Sequence, residues 1–158
     1  MNLHIGISAE PRAAVAKELG TLLADEYVLM TKTRHAHWSV VGPDFMEKHA
    51  FFDDQYGQLA EFVDQVAERI RSLGHFPPAT LSKFLELTQL TELDFDKNTS
   101  EAFIRELLHD HESIISFLRA HIVPFADTHQ DMGTSDFITG LMEEHEKMAW
   151  FLRAHLGE

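Results

Sequence analysis

The chain has 158 residues, 44% of them hydrophobic, which suits one globular domain over residues 1–158 with a substantial core. Its 26 Asp and Glu residues against 13 Lys and Arg give a formal net charge of -13, a balance that repels nucleic acid and anionic membranes and attracts cations. The absence of cysteine excludes disulfides and thiolate-bound metals. No apolar run is long enough to span a membrane, and Met1 to Ser8 is too short and too polar for a signal peptide, so a soluble cytoplasmic protein is expected. The 11 histidines are many for this length, and their placement needs a reason.

Ser8 is positioned to cap a first helix whose opening turn holds Glu10 and Pro11. Val15, Leu19, Leu22, Leu23, Tyr27 and Met30 continue it at helical spacing to about Trp38, where Ser39 to Pro43 interrupt. A second helix runs from Phe45 to Leu73 and is stopped by Gly74, Pro77 and Pro78. A short helix over Thr80 to Leu87 lies in a long connection. Such a crossover lets the second and third long helices run in the same direction. Asn98 with Glu101 resembles a capping box for the third long helix, with Phe103, Leu107, Leu108, Ile114, Ile115 and Leu118 on its apolar side and Pro124 ending or kinking it. Thr134 is expected to cap a fourth, with Phe137, Ile138, Leu141, Met148, Trp150, Phe151 and Leu152 apolar, stopping at Gly157. No segment alternates as a strand does. The expected fold is all-α, a four-helix bundle with a short extra helix between helices two and three.

The second helix has three faces. At about 100° per residue, Phe45, Phe52, Leu59, Val63, Val66, Ile70 and Leu73 form a core stripe. Glu47, Asp54, Gln58, Glu61, Gln65, Arg69 and Ser72 form a solvated face, while Lys48, Phe51 and Phe62 fit neither well. The third face carries His49, Asp53, Gly57, Ala60, Asp64 and Glu68. His49 with Asp53, and Asp64 with Glu68, are i, i+4 pairs that each converge on a point above the helix. Imidazole and carboxylate without thiolate suit a borderline or hard divalent metal such as iron, manganese or zinc. Asp53 and Asp64 lie about 16 Å apart along the axis at 1.5 Å per residue, too far for one metal within one chain. The pairs 49 and 68, 53 and 64, and 57 and 60 share one midpoint, so an antiparallel copy of this helix would bring His49 and Asp53 opposite the partner's Asp64 and Glu68. Gly57 and Ala60 would then meet at the crossing, where small side chains permit close approach. Two-fold association would create two identical composite sites. Either pair alone is also compatible with a merely solvated acidic face.

Thr33 to Val40 reads TRHAHWSV, followed by Gly42, Phe45, His49, Asp53, Asp64, Ala67, Glu68, Arg69 and Leu73-Gly74. This pattern resembles the Dps family of ferritin-like mini-ferritins over most of the chain. The resemblance implies that His37, His49 and Asp53 of one subunit join Asp64 and Glu68 of a two-fold neighbour to bind and oxidise iron, with zinc or manganese as alternative occupants. Trp38 matches the tryptophan beside the family's site, although an aromatic anchor at a helix end would look the same. A hollow dodecamer is implied, in which ferrous iron is oxidised by hydrogen peroxide or dioxygen and stored as ferric mineral, protecting against oxidative stress. Metal binding should weaken as pH falls through about 6.5, the ordinary histidine range.

Other residues admit two readings. Asp127, Asp131 and Asp136 could line a cation pore or serve the start of a helix. Glu143, Glu144 and Glu146 could nucleate mineral but more simply form a solvated face, and His35 could be an outer ligand or a surface histidine. Glu106 and His109 form one E-x-x-H motif, but an intrabundle di-iron enzyme needs a second, and none is present on another helix. The competing function is nucleoid association and DNA protection with little ferroxidase activity. With no Lys or Arg before Arg12 and only Gly157 and Glu158 after the last helix, weak or absent DNA binding is expected.

Overall fold

The computed structural model describes residues 3–92 and 98–157; Met1, Asn2 and Glu158, read above as parts of the tails, lie outside that range. Among the described residues there are five α-helices and no strand, with one isolated parallel bridge between Val41 and Thr99. They are α1 (Ala9–Ser39), α2 (Phe45–Ser72), the short α3 (Leu81–Leu87), α4 (Ser100–Val123) and α5 (Met132–Leu156). The all-α bundle with an extra helix in the connection is therefore what forms.

Two hairpins, α1 with α2 and α4 with α5, make the most extensive contacts, and α1 also packs on α3 and α4. Side-chain links fix their directions. Arg12 donates to the Leu73 carbonyl, so α1 and α2 are antiparallel. Lys32 pairs with Glu106 while Glu18 faces His121, so α1 and α4 are antiparallel too. Hence α2 and α4 run the same way, as the crossover requires. The core between them holds Val15, Leu19, Leu22 and Leu29 of α1 and Phe52, Leu59, Val66 and Ile70 of α2. Across from these lie Phe103, Leu107, Ile114 and Leu118 of α4 and Ile138, Met148 and Leu152 of α5. Each fully buried Leu, Ile or Phe contributes roughly 1.5–3 kcal/mol relative to an exposed one.

The connection between the hairpins is held by buried ions. Asp25 accepts from the Thr88 hydroxyl at 2.7 Å and the Gln89 N–H at 2.6 Å. Lys32 donates to the Thr91 carbonyl at 2.9 Å and pairs with Glu106 at 2.7 Å and Asp110 at 2.5 Å. Burial pushes the carboxyl groups of both Asp25 and Asp110 up from their ordinary value, against the pull of these hydrogen bonds. Glu106 is thereby committed to Lys32, and His109 is exposed, so the E-x-x-H motif does not aim into the bundle.

Several helix ends differ from expectation. Ser8 is the N-cap of α1, but its hydroxyl makes no capping bond. Thr99, not Asn98, caps α4 by accepting from the Ala102 N–H. Asp131, not Thr134, caps α5: its carboxylate accepts the Thr134 N–H at 2.9 Å, and Thr134 lies buried one turn in. Pro124 does end α4, and the chain continues as a π-helical turn, Pro124–Thr128, closed by the His129 N–H on the Pro124 carbonyl at 3.1 Å. A missing N–H and a ring that crowds the preceding turn explain the change of register. α2 ends as its sequence suggests. Gly74 takes φ 89°, its N–H bonds to the Arg71 carbonyl, and the His75 N–H reaches back to Ile70, a Schellman closure.

The faces of α2 also need amendment. Phe45 leaves the core stripe and is 39% exposed, Phe62 and Lys48 are buried, and Arg69 is half-buried rather than solvated. Trp150 and Phe151, placed on the apolar side of α5, point outward at 60% and 39% exposure.

Candidate metal centre

The last turn of α1 and the first turns of α2 meet where Ser39 to Asp44 reverses the chain. There the two histidines hold one another. His37 Nδ1 lies 2.8 Å from the His49 carbonyl, and His49 Nδ1 lies 2.8 Å from the His37 carbonyl. The rings stack with centroids 3.8 Å apart. A carbonyl can only accept, so each Nδ1 carries the proton. In that tautomer Nε2 is the ring atom that carries the lone pair, the donor a metal needs.

Asp53, one turn beyond His49, places Oδ1 3.8 Å from His37 Nε2. That is too long for a hydrogen bond. It falls within the roughly 3–4 Å that separates two ligands of one metal when each bond is about 2.1 Å. Phe45 stacks on the outer side of His49 at 5.1 Å, and Tyr56 sets its ring edge to face against His37 at 5.4 Å. Trp38 follows His37 but lies 68% exposed, with the Arg34 guanidinium 5.5 Å from its centroid and 5.3 Å from that of Tyr56. Hydrogen bonding to Asp53 pushes the Tyr56 phenol up from its ordinary value, with some help from burial.

Asp64 and Glu68 lie further along the same face of α2, both exposed. Between the two pairs, Gly57 and Ala60 are exposed, and a Cβ added at Gly57 would meet nothing within 4 Å. Among the described residues, no group of three or more His, Cys, Asp or Glu side chains within one chain could hold a metal ion. One chain thus brings together His37, His49 and Asp53 and leaves Asp64 and Glu68 apart from them, on open surface.

Of the residues given two readings, His35 turns away from this site. It stands edge to face with Phe103 at 5.6 Å and lines a groove of about 500 Å3 between α1 and α3. The aspartate group around the start of α5 separates. Asp131 is 1% exposed and pairs with Arg69 at 3.1 Å, so it is a cap and not a pore lining, whereas Asp127 and Asp136 are exposed. Glu143 and Glu144 are exposed, and Glu146 is paired with Arg119.

Sequence reasoning passed over two features. One is the Arg34–Tyr56 support beside Asp53, which the positions 53 and 56, one helical turn apart, could have signalled. The other is a buried polar chain through the bundle. Glu26 Oε1 lies 2.7 Å from His145 Nε2, and His145 Nδ1 lies 2.9 Å from His111 Nδ1, all three residues with no exposed surface. No local motif announces it, because its members come from α1, α4 and α5.

Comparison with known proteins matches residues 16–158 to the ferritin-like domain family. An uncharacterised low temperature-induced protein of Nostoc sp. is 42% identical over 135 residues, covering 85% of this chain and 75% of its own length. DNA protection during starvation protein 2 of Bacillus anthracis is 35% identical over 122 residues, 77% of this chain and 82% of that protein. Among solved structures, the Dps protein from Vibrio cholerae O1, described as a member of a broad superfamily of ferritin-like diiron-carboxylate proteins, superposes with a TM-score of 0.91 at 29% identity, over 99% of this chain and 98% of that one. With this bundle, this crossover and these relatives, the chain belongs to the Dps family of ferritin-like proteins.

Proposed function

We propose that the chain is one domain of an iron-storing, protective assembly whose ferroxidase sites form between two copies: His37, His49 and Asp53 of one with the partner's Asp64 and Glu68. The observation that carries this reading is the pair of Nε2 donors, fixed by reciprocal backbone bonds, beside an exposed stripe that is symmetric about Gly57 and Ala60. Mixed imidazole and carboxylate donors suit ferrous iron as substrate, and carboxylates favour the ferric product. Zinc and manganese are the expected competitors. Trp38, Val41, Phe45 and Met46 add an exposed apolar rim at the same end of the hairpin, the kind of surface that a partner covers.

Two ferrous ions would each give up one electron to a single hydrogen peroxide, breaking its O–O bond. Both oxygens then leave as hydroxide or, with two protons, as water, and no hydroxyl radical is released. Dioxygen is the alternative oxidant. The side chains position the ions and stabilise the added charge, while the net charge of -13 draws cations toward the assembly. Twelve chains of 18.1 kDa would give a shell of about 217 kDa.

Mixing tests the shared site. His49→Ala and Glu68→Ala assemblies should each lose most peroxide-dependent iron oxidation, whereas shells co-assembled from both should regain part of it, since some sites then draw only intact residues. A fully active monomer, or no recovery in verified mixed shells, would refute the reading.

A further inference from the structure

We propose that Glu18 of α1 and His121 of α4 form a separate, exchangeable site for a first-row divalent cation, bridging the two hairpins. Glu18 lies roughly 28 Å along α1 from His37 at 1.5 Å per residue, so the corner between α1 and α2 takes no part. His121 Nδ1 is 2.7 Å from the Phe117 carbonyl, one turn back on its own helix. The carbonyl accepts, so Nδ1 carries the proton, and in the neutral ring Nε2 carries the lone pair. Phe117 and Phe125 flank the imidazole, with ring centroids 4.1 and 5.5 Å from its own. The ring is therefore held in one tautomer and one orientation by its own helix and the turn that follows. Metal-bound histidines are commonly fixed in this way, with the second ring N–H given to a backbone carbonyl or a carboxylate.

Across the helix pair, His121 Nε2 faces Glu18 Oε2 at 3.6 Å. A hydrogen-bonded imidazole and carboxylate would close to about 2.7–3.2 Å. Two ligands of one cation, each bonded at about 2.0–2.2 Å, instead stand roughly 3–4 Å apart. The side chains are 23% and 35% exposed, so they are pinned at their bases while water can reach the space between their tips. Two protein donors with water in the remaining positions make an open site, one that exchanges its cation, rather than a closed structural one. Nitrogen and carboxylate donors without sulfur select zinc, cobalt(II) or ferrous iron. Because α1 belongs to one hairpin and α4 to the other, a cation held there also ties the hairpins together. The plain alternative is a surface ion pair between a protonated His121 and Glu18, which contributes little to stability and binds no metal.

Zinc alone is the probe, dialysed to equilibrium against the metal-free assembled protein and counted per chain. Glu18→Gln keeps the shape of the side chain and removes its charge, and His121→Gln removes the imidazole; neither residue is buried, so both variants should fold. Each should take up about one equivalent of zinc per chain less than the unsubstituted protein, since either substitution leaves a single donor. Each should also show a smaller zinc-dependent rise in Tm, because a ligand stabilises only the fold that binds it. Peroxide-dependent iron oxidation should stay unchanged in both, as it belongs to the other end of the hairpin. An undiminished zinc count in either variant overturns the site and leaves Glu18 and His121 as an ion pair. Loss of iron oxidation together with the zinc would mean that the substitutions act through the α2 stripe, and that too overturns it.

Discussion

His111 shows how one buried side chain can set the pH range of the molecule. Glu26 is the acceptor for His145 Nε2–H, and His145 Nδ1 can then accept from His111 Nδ1–H, which leaves His111 Nε2 without a partner. Burial, reinforced by neighbouring His145, holds the His111 imidazole well below its ordinary value. The sign follows from the unfolded chain, where the ring takes a proton near pH 6.5 that the folded chain refuses. Stability from this residue is therefore complete above about pH 6.5 and declines as pH falls below it, with a limiting slope of about 1.4 kcal/mol per pH unit. Urea denaturation at pH 7.5 and pH 5 should show that loss. His111→Leu should flatten the slope while lowering stability at pH 7.5 by about 1–3 kcal/mol, because it strips His145 of its donor. An unchanged slope would place the acid sensitivity elsewhere. None of this was legible beforehand: a histidine at an inward helical position looks the same in the sequence whether it lies in the core or at the edge.

At the scale of the element, the helices could be read and their caps could not. Apolar spacing gave α1, α2, α4 and α5 to within about three residues at their ends, because a bundle helix has to bury one stripe whatever its neighbours are. Capping, by contrast, is chosen by the backbone among several adjacent candidates. Around the start of α5 the chain offers Asp131, Thr134, Ser135 and Asp136, and the left-handed turn at Gln130, φ 55°, selects Asp131. Once selected, Asp131 also takes Arg69 of α2 at 3.1 Å, and Arg69 donates to Thr134 at 2.9 Å. One carboxylate thus joins the two hairpins and satisfies a helix end. Asp131→Asn keeps a capping oxygen and removes the charge, whereas Asp131→Ala removes both. Thermal denaturation should rank them, with Ala destabilised by about 2–4 kcal/mol and Asn by roughly half as much. Equal values would mean that the charge alone matters. Trp150 and Phe151 failed for a related reason: an apolar side chain on an otherwise well-patterned helix can serve a surface outside the chain, and periodicity does not say which core it belongs to.

For the whole molecule, direction and charge are the deciding quantities. The parallel run of α2 and α4 needed only the length of the connection, and the outward stripe of α2 needed only helical geometry, so both were legible. The symmetry of that stripe about Gly57 and Ala60 was legible as well, and it is the ground for proposing a second copy as its cover. No helix among the described residues is long and apolar enough to cross a membrane. Relatives named for DNA protection set the competing expectation. Nonspecific DNA binding draws its free energy from neutralised phosphates, and 13 basic against 26 acidic residues argue for a small contribution of that kind from this chain. In a low-salt mobility-shift assay the assembled protein should leave linear duplex DNA unretarded at micromolar concentration. A tight, saturable complex would contradict this and point to a localised basic surface.

The mutual grip of His37 and His49 also acts as a clasp across the turn between α1 and α2. Each imidazole ties down the other's carbonyl, so the chain between them is closed into a loop whose entropy is lost on folding, before any cation arrives. On the proposed function, a cation would meet two imidazole donors already in place. The same economy makes the clasp vulnerable: losing either ring opens the corner as well as the site, and amide exchange through Ser39 to Asp44 would register the damage even in a protein that had never seen iron.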